Sequence, residues 1–307
     1  MRIKQYVKRA VVIGLAASLM ISTAACTKET NSTSVADTTS SDETDGTDGT
    51  DGADGADGAK KVKVAWQSNS YPLAYEDEDG NLTGYEIEVL KLVDEGLADY
   101  DFEYELAGAQ DAQYAGLSAG KYDLVISNAF YTAERDEAYA LPENPLGASL
   151  VGIIVPKGTE GVTDFASAAK AGLKMTPQLA GDGLYYVVYK YNEENPDNQI
   201  EQEATDSADS FMNAISWVGD GRYDFAVWPK NYYEQLVIAE DGELHDYDSK
   251  LDFYECRSVY TYPIIRKDEQ ELADAISEVL GKLREEGTLS ELSEKFYGYD
   301  AFMYDSE

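Results

Sequence analysis

The chain of 307 residues carries 24 lysines and arginines against 59 aspartates and glutamates, so its formal net charge is −35. A surface of this charge repels phosphate, which excludes nucleic acid as a partner. Cys26 and Cys256 are the only cysteines and His245 is the only histidine. The sequence therefore has neither a disulfide framework nor a His/Cys metal site, and we expect no metal and no cofactor.

The N-terminus has the pattern of a targeting segment. Four basic residues lie within the first nine positions, and the apolar run from Ala10 to Ile21 is too short to span a membrane as a mature helix. Small residues then lead to Cys26. This arrangement resembles a bacterial lipoprotein signal, in which residues 1–25 are removed and the lipidated Cys26 is the only membrane anchor. Ordinary secretion, with Cys26 removed or left unmodified, is the alternative.

Residues 26–59 are predicted to form a disordered linker. The segment is rich in Asp, Gly, Thr, Ser and Ala, with Asp-Gly repeated at positions 45, 48, 51, 54 and 57. Such a composition lacks the apolar area that would offset the entropy of an ordered chain. Regular carboxylates also suggest calcium binding, but calcium repeats need longer ligand loops and apolar residues that stack. A solvated tether is therefore the preferred interpretation.

From Lys60 onward the chain is long enough for two modest domains in which strands alternate with helices. In the first part, strands are predicted at 61–66, 102–106 and 122–126, and helices at 86–97 and 112–118. After Pro142 and Pro145 the alternation restarts, with strands predicted at 150–155, 173–176, 200–204, 223–228 and 259–266. The accompanying helices are predicted at 164–170, 183–192, 208–218, 229–239 and 272–283. This alternation is typical of parallel βα units.

The strand predicted at 122–126 is followed by the stretch Ser127–Arg135, where a polar turn is expected before the next helical segment. An arginine at that place can bind a carboxylate through two parallel hydrogen bonds. Together with Gly84–Leu90 and Gly287–Gly298, this stretch resembles the family 3 solute-binding proteins, which are the capture subunits of polar-amino-acid ABC importers. The resemblance covers nearly all of residues 60–303.

The resemblance implies an α/β, two-lobed, type II periplasmic-binding-protein-like fold. The ligand cleft lies between two lobes, which are joined by two hinge strands near 146–151 and 256–262. Lobe 1 would comprise residues 60–148 and 260–303, and lobe 2 residues 149–259. The double crossing between the lobes is implied by the family and not by the sequence pattern itself.

The family also implies which residues line the cleft. The arginine of its Thr-x-Glu-Arg element, here Arg135, holds the α-carboxylate of the ligand; an exposed arginine paired with Glu134 or Asp136 is the alternative. The further ligand-binding candidates are Gln67, Asn69, Tyr71, Asp111, Ser127, Asn128, Phe130, Gly181, Asp182 and Trp228. For Phe130 and Trp228 core packing is an equal alternative, and Asp182 is also a candidate cap for the helix that follows it.

The chain departs from the family pattern at Pro229. Family members commonly have an aspartate there, which pairs with the α-ammonium of the ligand, and a buried ammonium needs such a partner. Either another acid supplies it, with Asp111 and Asp182 as candidates, or the ligand is not a standard α-amino acid.

Three functions follow as hypotheses. The first is a lipid-anchored binding protein on the extracellular face of the membrane, which captures a small carboxylated solute of the amino-acid class or a derivative and delivers it to an ABC permease. The second is a dehydratase-like enzyme on the same fold, which needs a buried acid or base in the cleft. The third is a sensory module that reports a ligand to a membrane receptor.

Overall fold

A computed structural model describes residues 58–68, 70–207 and 209–304. The predicted signal segment, Cys26 and Asn69 lie outside the described residues. Within them, no helix combines the length and apolar character that crossing a membrane requires.

The described residues form strands β1 (Lys60–Gln67), β2 (Tyr75–Glu76), β3 (Leu82–Thr83), β4 (Tyr100–Ala107), β5 (Leu124–Phe130), β6 (Gly147–Pro156), β7 (Gln178–Leu179), β8 (Ala204–Thr205), β9 (Ala226–Pro229) and β10 (Leu251–Ile265). The helices are α1 (Tyr85–Gly96), α2 (Gln110–Ser118), α3 (Ala133–Ala138), α4 (Phe165–Lys170), α5 (Gly183–Glu194), α6 (Asp209–Gly219), α7 (Lys230–Tyr233), α8 (Gln270–Glu285) and α9 (Thr288–Tyr297). A π-helical turn, Glu234–Ile238, continues α7.

Six of the strands form one mixed sheet with the order β4-β1-β5-β10-β6-β9. Strand β1 is parallel to β4 and β5, whereas β10 is antiparallel to β5 and β6, and β6 is antiparallel to β9. In this sheet, the prediction of parallel βα units is right for β4, β1 and β5 only. In the second part of the chain, β7 pairs with β8 in parallel and Met175 forms a parallel bridge with Phe225. The long strands β6 and β10 pair from Pro156 with Leu251 to Gly147 with Thr261.

The apolar residues form separate cores on either side of these two long strands. The first core joins β1, α1, α8 and α9, with Val64, Leu90, Ile276 and Leu289 among its buried members. Strand β6 contributes to three others. Val151, Ile153 and Val155 pack with α4 and α5, Ile154 packs with α6 and β9, and Ala148 and Leu150 pack with Ala301. Burial on both faces explains why this strand is a continuous apolar run in the sequence.

Several predicted elements differ from those observed. Strand β5 does not end at residue 126 but continues to Phe130, because Ala129 and Phe130 pair with β10. The strand predicted at 173–176 is reduced to an isolated bridge between Met175 and Phe225, and the one at 200–204 to the two residues of β8. Strand β10 begins at Leu251, eight residues before the predicted start.

The helix predicted at 229–239 is also different. Pro229 is the last residue of β9 and the N-cap of α7, with φ −74° and ψ 136°, and so it precedes the first helical position. The later part of the predicted helix is the π-helical turn.

Candidate ligand-binding site

A cavity of about 380 Å³ lies where β5, α5, α6 and β9 meet. Polar side chains on its wall are Gln110, Asp111, Ser127, Asn128, Arg135, Thr176, Gln178, Asp182 and Ser210. The apolar part of the wall includes Phe130, Leu184, Phe211, Val227, Trp228 and Pro229. A few polar groups on a mostly apolar concave wall are typical of small-molecule sites.

Arg135 is positioned by the first turn of α3. Thr132 is the N-cap of this helix, and its hydroxyl accepts the backbone N–H of Arg135 at 3.1 Å. The half-buried guanidinium donates from Nη1 to the carbonyl oxygen of Phe130 at 2.7 Å. Neither Glu134 nor Asp136 forms an ion pair with Arg135, and within the described ranges no other acid does. The other N–H donors of the Arg135 guanidinium are therefore not paired with an acid of the described chain.

Asn128 adopts a backbone conformation that is unusual for a strand residue. Its φ is +52°, and among the described residues it alone combines a positive φ with a side chain. Asparagine tolerates this left-handed region better than most residues. Its N–H donates to Glu86 Oε1 at 3.0 Å, and its Oδ1 accepts the hydroxyl of Ser149 at 3.1 Å. The side-chain oxygen of Asn128 is therefore already used by β6.

Glu86 is a buried acid directly behind this wall. It is the second residue of α1 and only 1% exposed. Burial raises the pKa of its carboxyl group to about 7, although the hydrogen bond from the Asn128 N–H lowers the pKa in part. Glu86 is not itself among the residues that line the cavity.

The start of α5 forms the opposite wall. Asp182 caps this helix, because its Oδ2 accepts the N–H of Leu184 at 3.1 Å. That helical donor is therefore occupied by the protein itself, as the capping alternative predicted. Gly183 allows the helix to approach Phe130, since a Cβ on Gly183 would lie 2.7 Å from the Phe130 Cβ. Phe130 both lines the cavity and belongs to the core around α5.

Trp228 closes the cavity next to Pro229. Its ring stacks on Phe211, with centroids 3.8 Å apart and planes at 17°. The residue is almost completely buried, and its indole N–H has no hydrogen-bond partner among the described residues. A buried donor without a partner is unfavourable, so this N–H is a polar group that the described residues leave unsatisfied.

The structure brings together seven of the predicted ligand-binding residues in the cavity wall: Asp111, Ser127, Asn128, Phe130, Arg135, Asp182 and Trp228. Gln67, Tyr71 and Gly181 lie elsewhere. Gln67 ends β1, and Tyr71 is half exposed and packs on Tyr75. Gly181 is exposed, and a Cβ there would lie 2.9 Å from Glu134 Oε2. Their roles as ligand contacts stay predictions.

Several wall residues were not among the predicted candidates. Thr176 and Gln178 lie in the segment that leads into α5, and both are buried although polar. Ser210 and Phe211 are in the first turn of α6, and Tyr232 is on α7. The sequence signal for Thr176 and Gln178 is a proline between two polar residues after an apolar stretch, and it is weak on its own.

A model of the bacterial extracellular solute-binding proteins, family 3, matches residues 62–299. Among curated relatives, the L-cystine-binding protein TcyJ of Bacillus subtilis (strain 168) is 24% identical over 228 residues, which cover 74% of this chain and 80% of TcyJ. The amino-acid-binding protein AabA of Dichelobacter nodosus is 26% identical over 230 residues, which cover 74% of this chain and 83% of AabA.

Solved structures have the same architecture. A structure from work on glutathione import via GshT and the cystine ABC importer TcyBC of Streptococcus mutans is 27% identical, with a TM-score of 0.57 over 81% of this chain and 98% of the other. The extracellular-binding protein ytmK of Bacillus subtilis, at 20% identity, has a TM-score of 0.56 over 78% of this chain and 98% of ytmK. The predicted α/β fold class, a type II periplasmic-binding-protein-like fold, is confirmed.

Proposed function

Because the chain belongs to the bacterial extracellular solute-binding proteins of family 3, we propose that it captures a small carboxylated solute and delivers it to the permease of an ABC importer. The solute class that fits best is an amino acid or a derivative of one. Relatives named for L-cystine make L-cystine the first compound to test.

The observation that carries this proposal is the state of Arg135. Its guanidinium lines the cavity, is oriented by the Phe130 carbonyl, and has no acidic partner among the described residues. A guanidinium fork matches the geometry of a carboxylate, and the half-buried site strengthens the interaction relative to water. A carboxylated ligand would supply the anionic partner that Arg135 does not have among the described residues.

The family and its named relatives are transporter binding proteins and not enzymes. A dehydratase-like reaction would need a buried acid in the cavity. Glu86 is a buried acid, but it lies behind the wall and does not line the cavity. This placement favours capture over catalysis.

The cellular arrangement is part of the proposal. A lipid on Cys26 would anchor the protein to the extracellular face of the cell membrane, and residues 26–59 would act as the tether. Residues 60–148 with 260–303 would form one lobe and residues 149–259 the other, with strands β6 and β10 as the connections. Closure of the lobes would exclude water from around Arg135.

The experiment is thermal melting of the chain with L-cystine, other amino acids, short peptides and carboxylates that lack an amine. A ligand at about 100 times its Kd stabilises the folded state by about 2.7 kcal/mol, which raises Tm by roughly 5–10 °C for a protein of this size. Arg135→Ala should abolish the shift. Arg222→Ala is the matched control, because it removes one positive charge from an exposed residue outside the cavity.

A shift that survives in Arg135→Ala would contradict the proposed carboxylate contact. A shift with carboxylates that lack an amine, and with no amino acid, would retain the capture function and change the solute class. Uptake of the radiolabelled solute by cells that express the matching permease would then test delivery.

A further inference from the structure

Glu86 has no role in the cavity wall itself, yet it holds a residue that has one. Its Oε1 accepts the N–H of Asn128 at 3.0 Å. No lysine, arginine or histidine forms an ion pair with Glu86 in the described part of the chain. Burying a carboxyl group without a cationic partner is unfavourable. The one described residue that Glu86 is seen to bind, Asn128, is therefore where a role for this acid is to be sought.

Asn128 is held at two points. The N–H is bound by Glu86 on α1, and the side-chain oxygen is bound by Ser149 on β6. Its φ of +52° interrupts the regular geometry of β5 within the cavity wall. A residue with a side chain is disfavoured in this left-handed region, asparagine less than most, so surrounding contacts must maintain the conformation.

The conformation of Asn128 determines where the following residues lie. Phe130 is two residues further along β5, and its carbonyl oxygen receives Nη1 of Arg135. Ala129 and Phe130 pair with β10, so a change in the Asn128 backbone would move the acceptor that orients the guanidinium by shifting this end of β5 against β10. The contacts run from Glu86 to Asn128, along β5 to Phe130, and from there to Arg135.

We propose that Glu86 is a positioning residue of the binding site, whose carboxylate fixes the Asn128 backbone and whose protonation loosens the wall that orients Arg135. The effect on ligand affinity rests on the proposed function, whereas the effect on the wall does not. A carboxylate accepts hydrogen bonds more strongly than a neutral carboxyl group, so the hold on Asn128 is strongest when Glu86 is charged.

Glu86 is the group in this environment that titrates near neutral pH. The titratable neighbours that interact with it are Tyr85 on the same helix, Tyr232 on α7 and Tyr297 on α9. Burial raises the pKa of each of these tyrosines, that of Tyr232 to about 12, so all three stay neutral between pH 5 and 9. A transition near pH 7 in the wall would therefore report Glu86, whose pKa burial raises to about 7.

The first test needs no ligand. NMR spectra of the full chain are recorded from pH 5 to 9, and the Asn128 amide and the Arg135 guanidinium are followed. Both signals should titrate together with a midpoint near 7, and exchange of the Asn128 amide, corrected for intrinsic rate, should be about fivefold faster on the acid side, as expected for loss of a charge-assisted hydrogen bond.

Three variants separate positioning from a structural role. Glu86→Gln keeps the volume and an acceptor, so it should show no titration and resemble the acid form of the wild type at every pH. Glu86→Leu removes the acceptor and should give fast Asn128 exchange throughout. Ser149→Ala removes the other contact and should leave the titration in place. An Asn128 amide that does not titrate in the wild type, or that still titrates in Glu86→Gln, would overturn the proposal.

The second test is calorimetric titration with L-cystine at pH 6 and pH 8. Affinity should be several-fold higher at pH 8 in the wild type and independent of pH in Glu86→Gln. Equal affinities at both pH values in a wild type that binds L-cystine would overturn the link from Glu86 to capture. If L-cystine and the rest of the panel fail to bind, the proposed function fails, and the NMR titration still decides the positioning role.

Discussion

Arg135 and Phe130 are joined by a hydrogen bond of 2.7 Å from the guanidinium Nη1 to the backbone carbonyl oxygen. Phe130 is the last residue of β5 and Arg135 is the third residue of α3, and both line the cavity. The acceptor is a backbone atom of a strand that pairs with β10, so it is held by the sheet and not by a flexible side chain. The arginine is consequently oriented before a ligand arrives, which lowers the entropy lost on binding.

Arg135→Lys tests whether this orientation matters beyond charge. Lysine keeps the positive charge but has a single ammonium that cannot bind the Phe130 carbonyl and a carboxylate in the same planar arrangement. We expect affinity for a carboxylated ligand to fall by roughly 10- to 100-fold, the equivalent of about 1.4–2.8 kcal/mol. Calorimetric titration measures it, and the Tm of the ligand-free protein should stay within a degree or two because the residue is only half buried. Unchanged affinity would mean that charge alone suffices.

Gly183→Ala tests the close approach of α5 to β5. The added Cβ would lie 2.7 Å from the Cβ of Phe130, which is closer than a van der Waals contact. Overpacking of this kind destabilises by about 1–3 kcal/mol, so Tm should fall by several degrees in a thermal melt. Gly108→Ala is the milder comparison, because its added Cβ would lie 3.2 Å from Ala112 Cβ, which has to give by only a few tenths of an ångström, and its Tm should fall less. An unchanged Tm in Gly183→Ala would show that the two elements can separate without loss.

Trp228 provides an optical signal for occupancy of the cavity. Its indole lines the wall, stacks on Phe211 and has no hydrogen-bond partner for its N–H among the described residues. We expect ligand binding to change the tryptophan emission, and Trp228→Phe to abolish the change while the calorimetric heat persists. Trp217→Phe is the matched control, because Trp217 lies outside the cavity and packs on Tyr223. A change retained in Trp228→Phe would assign the signal to another tryptophan.

Much of this architecture is readable from the sequence, and the exceptions have physical reasons. Helices α1 and α8 follow from apolar residues at helical spacing that pack into the first core, and β6 from an unbroken apolar run. Strand β5 is longer than predicted because the polar residues Ser127 and Asn128 interrupt its apolar run, whereas the backbone continues to Ala129 and Phe130, which pair with β10. Propensity cannot report a pairing that depends on a strand more than 100 residues away.

The candidate site likewise contains residues that the sequence predicts and one that only the tertiary structure reveals. Arg135 and the residues around it follow from a motif, and the structure places most of them on one cavity wall. Glu86 was not predicted to matter, because an acid in the first turn of a helix is ordinarily a solvated residue that favours the helix dipole. Its burial is a product of the tertiary fold, which also brings Tyr232 of α7 and Tyr297 of α9 near enough for the Glu86 charge to raise the pKa of each.

The raised pKa of Glu86 predicts a pH dependence of stability. The folded-state pKa is about 7 against an ordinary value of 4.5, so between these values the native state binds more protons than the unfolded state. Stability contributed by this group is therefore complete at acid pH and is lost as the pH rises through 7, by up to about 3 kcal/mol. The free energy of unfolding in urea, measured from pH 5 to 8, should fall relative to that of Glu86→Gln. Parallel curves for the two proteins would contradict this.

Asp182→Asn tests whether an acid replaces the aspartate that family members have at the position of Pro229. Asparagine caps helices as well as aspartate does, so the bond to the Leu184 N–H should persist and Tm should change little. The negative charge on the cavity wall is lost. If Asp182 pairs with a ligand ammonium, affinity for amino acids should fall by roughly tenfold, the equivalent of about 1.4 kcal/mol. Affinity for carboxylates without an amine should rise, because a like charge has been removed from their site.

Asp111→Asn is the companion variant, since Asp111 lines the same cavity but is exposed in the first turn of α2. Its charge is better screened by water, so we expect a smaller loss, within about threefold. The comparison is made by calorimetric titration of L-cystine and of a matched dicarboxylate. Equal affinities of both variants and the wild type for L-cystine would mean that neither acid binds the ammonium of the ligand.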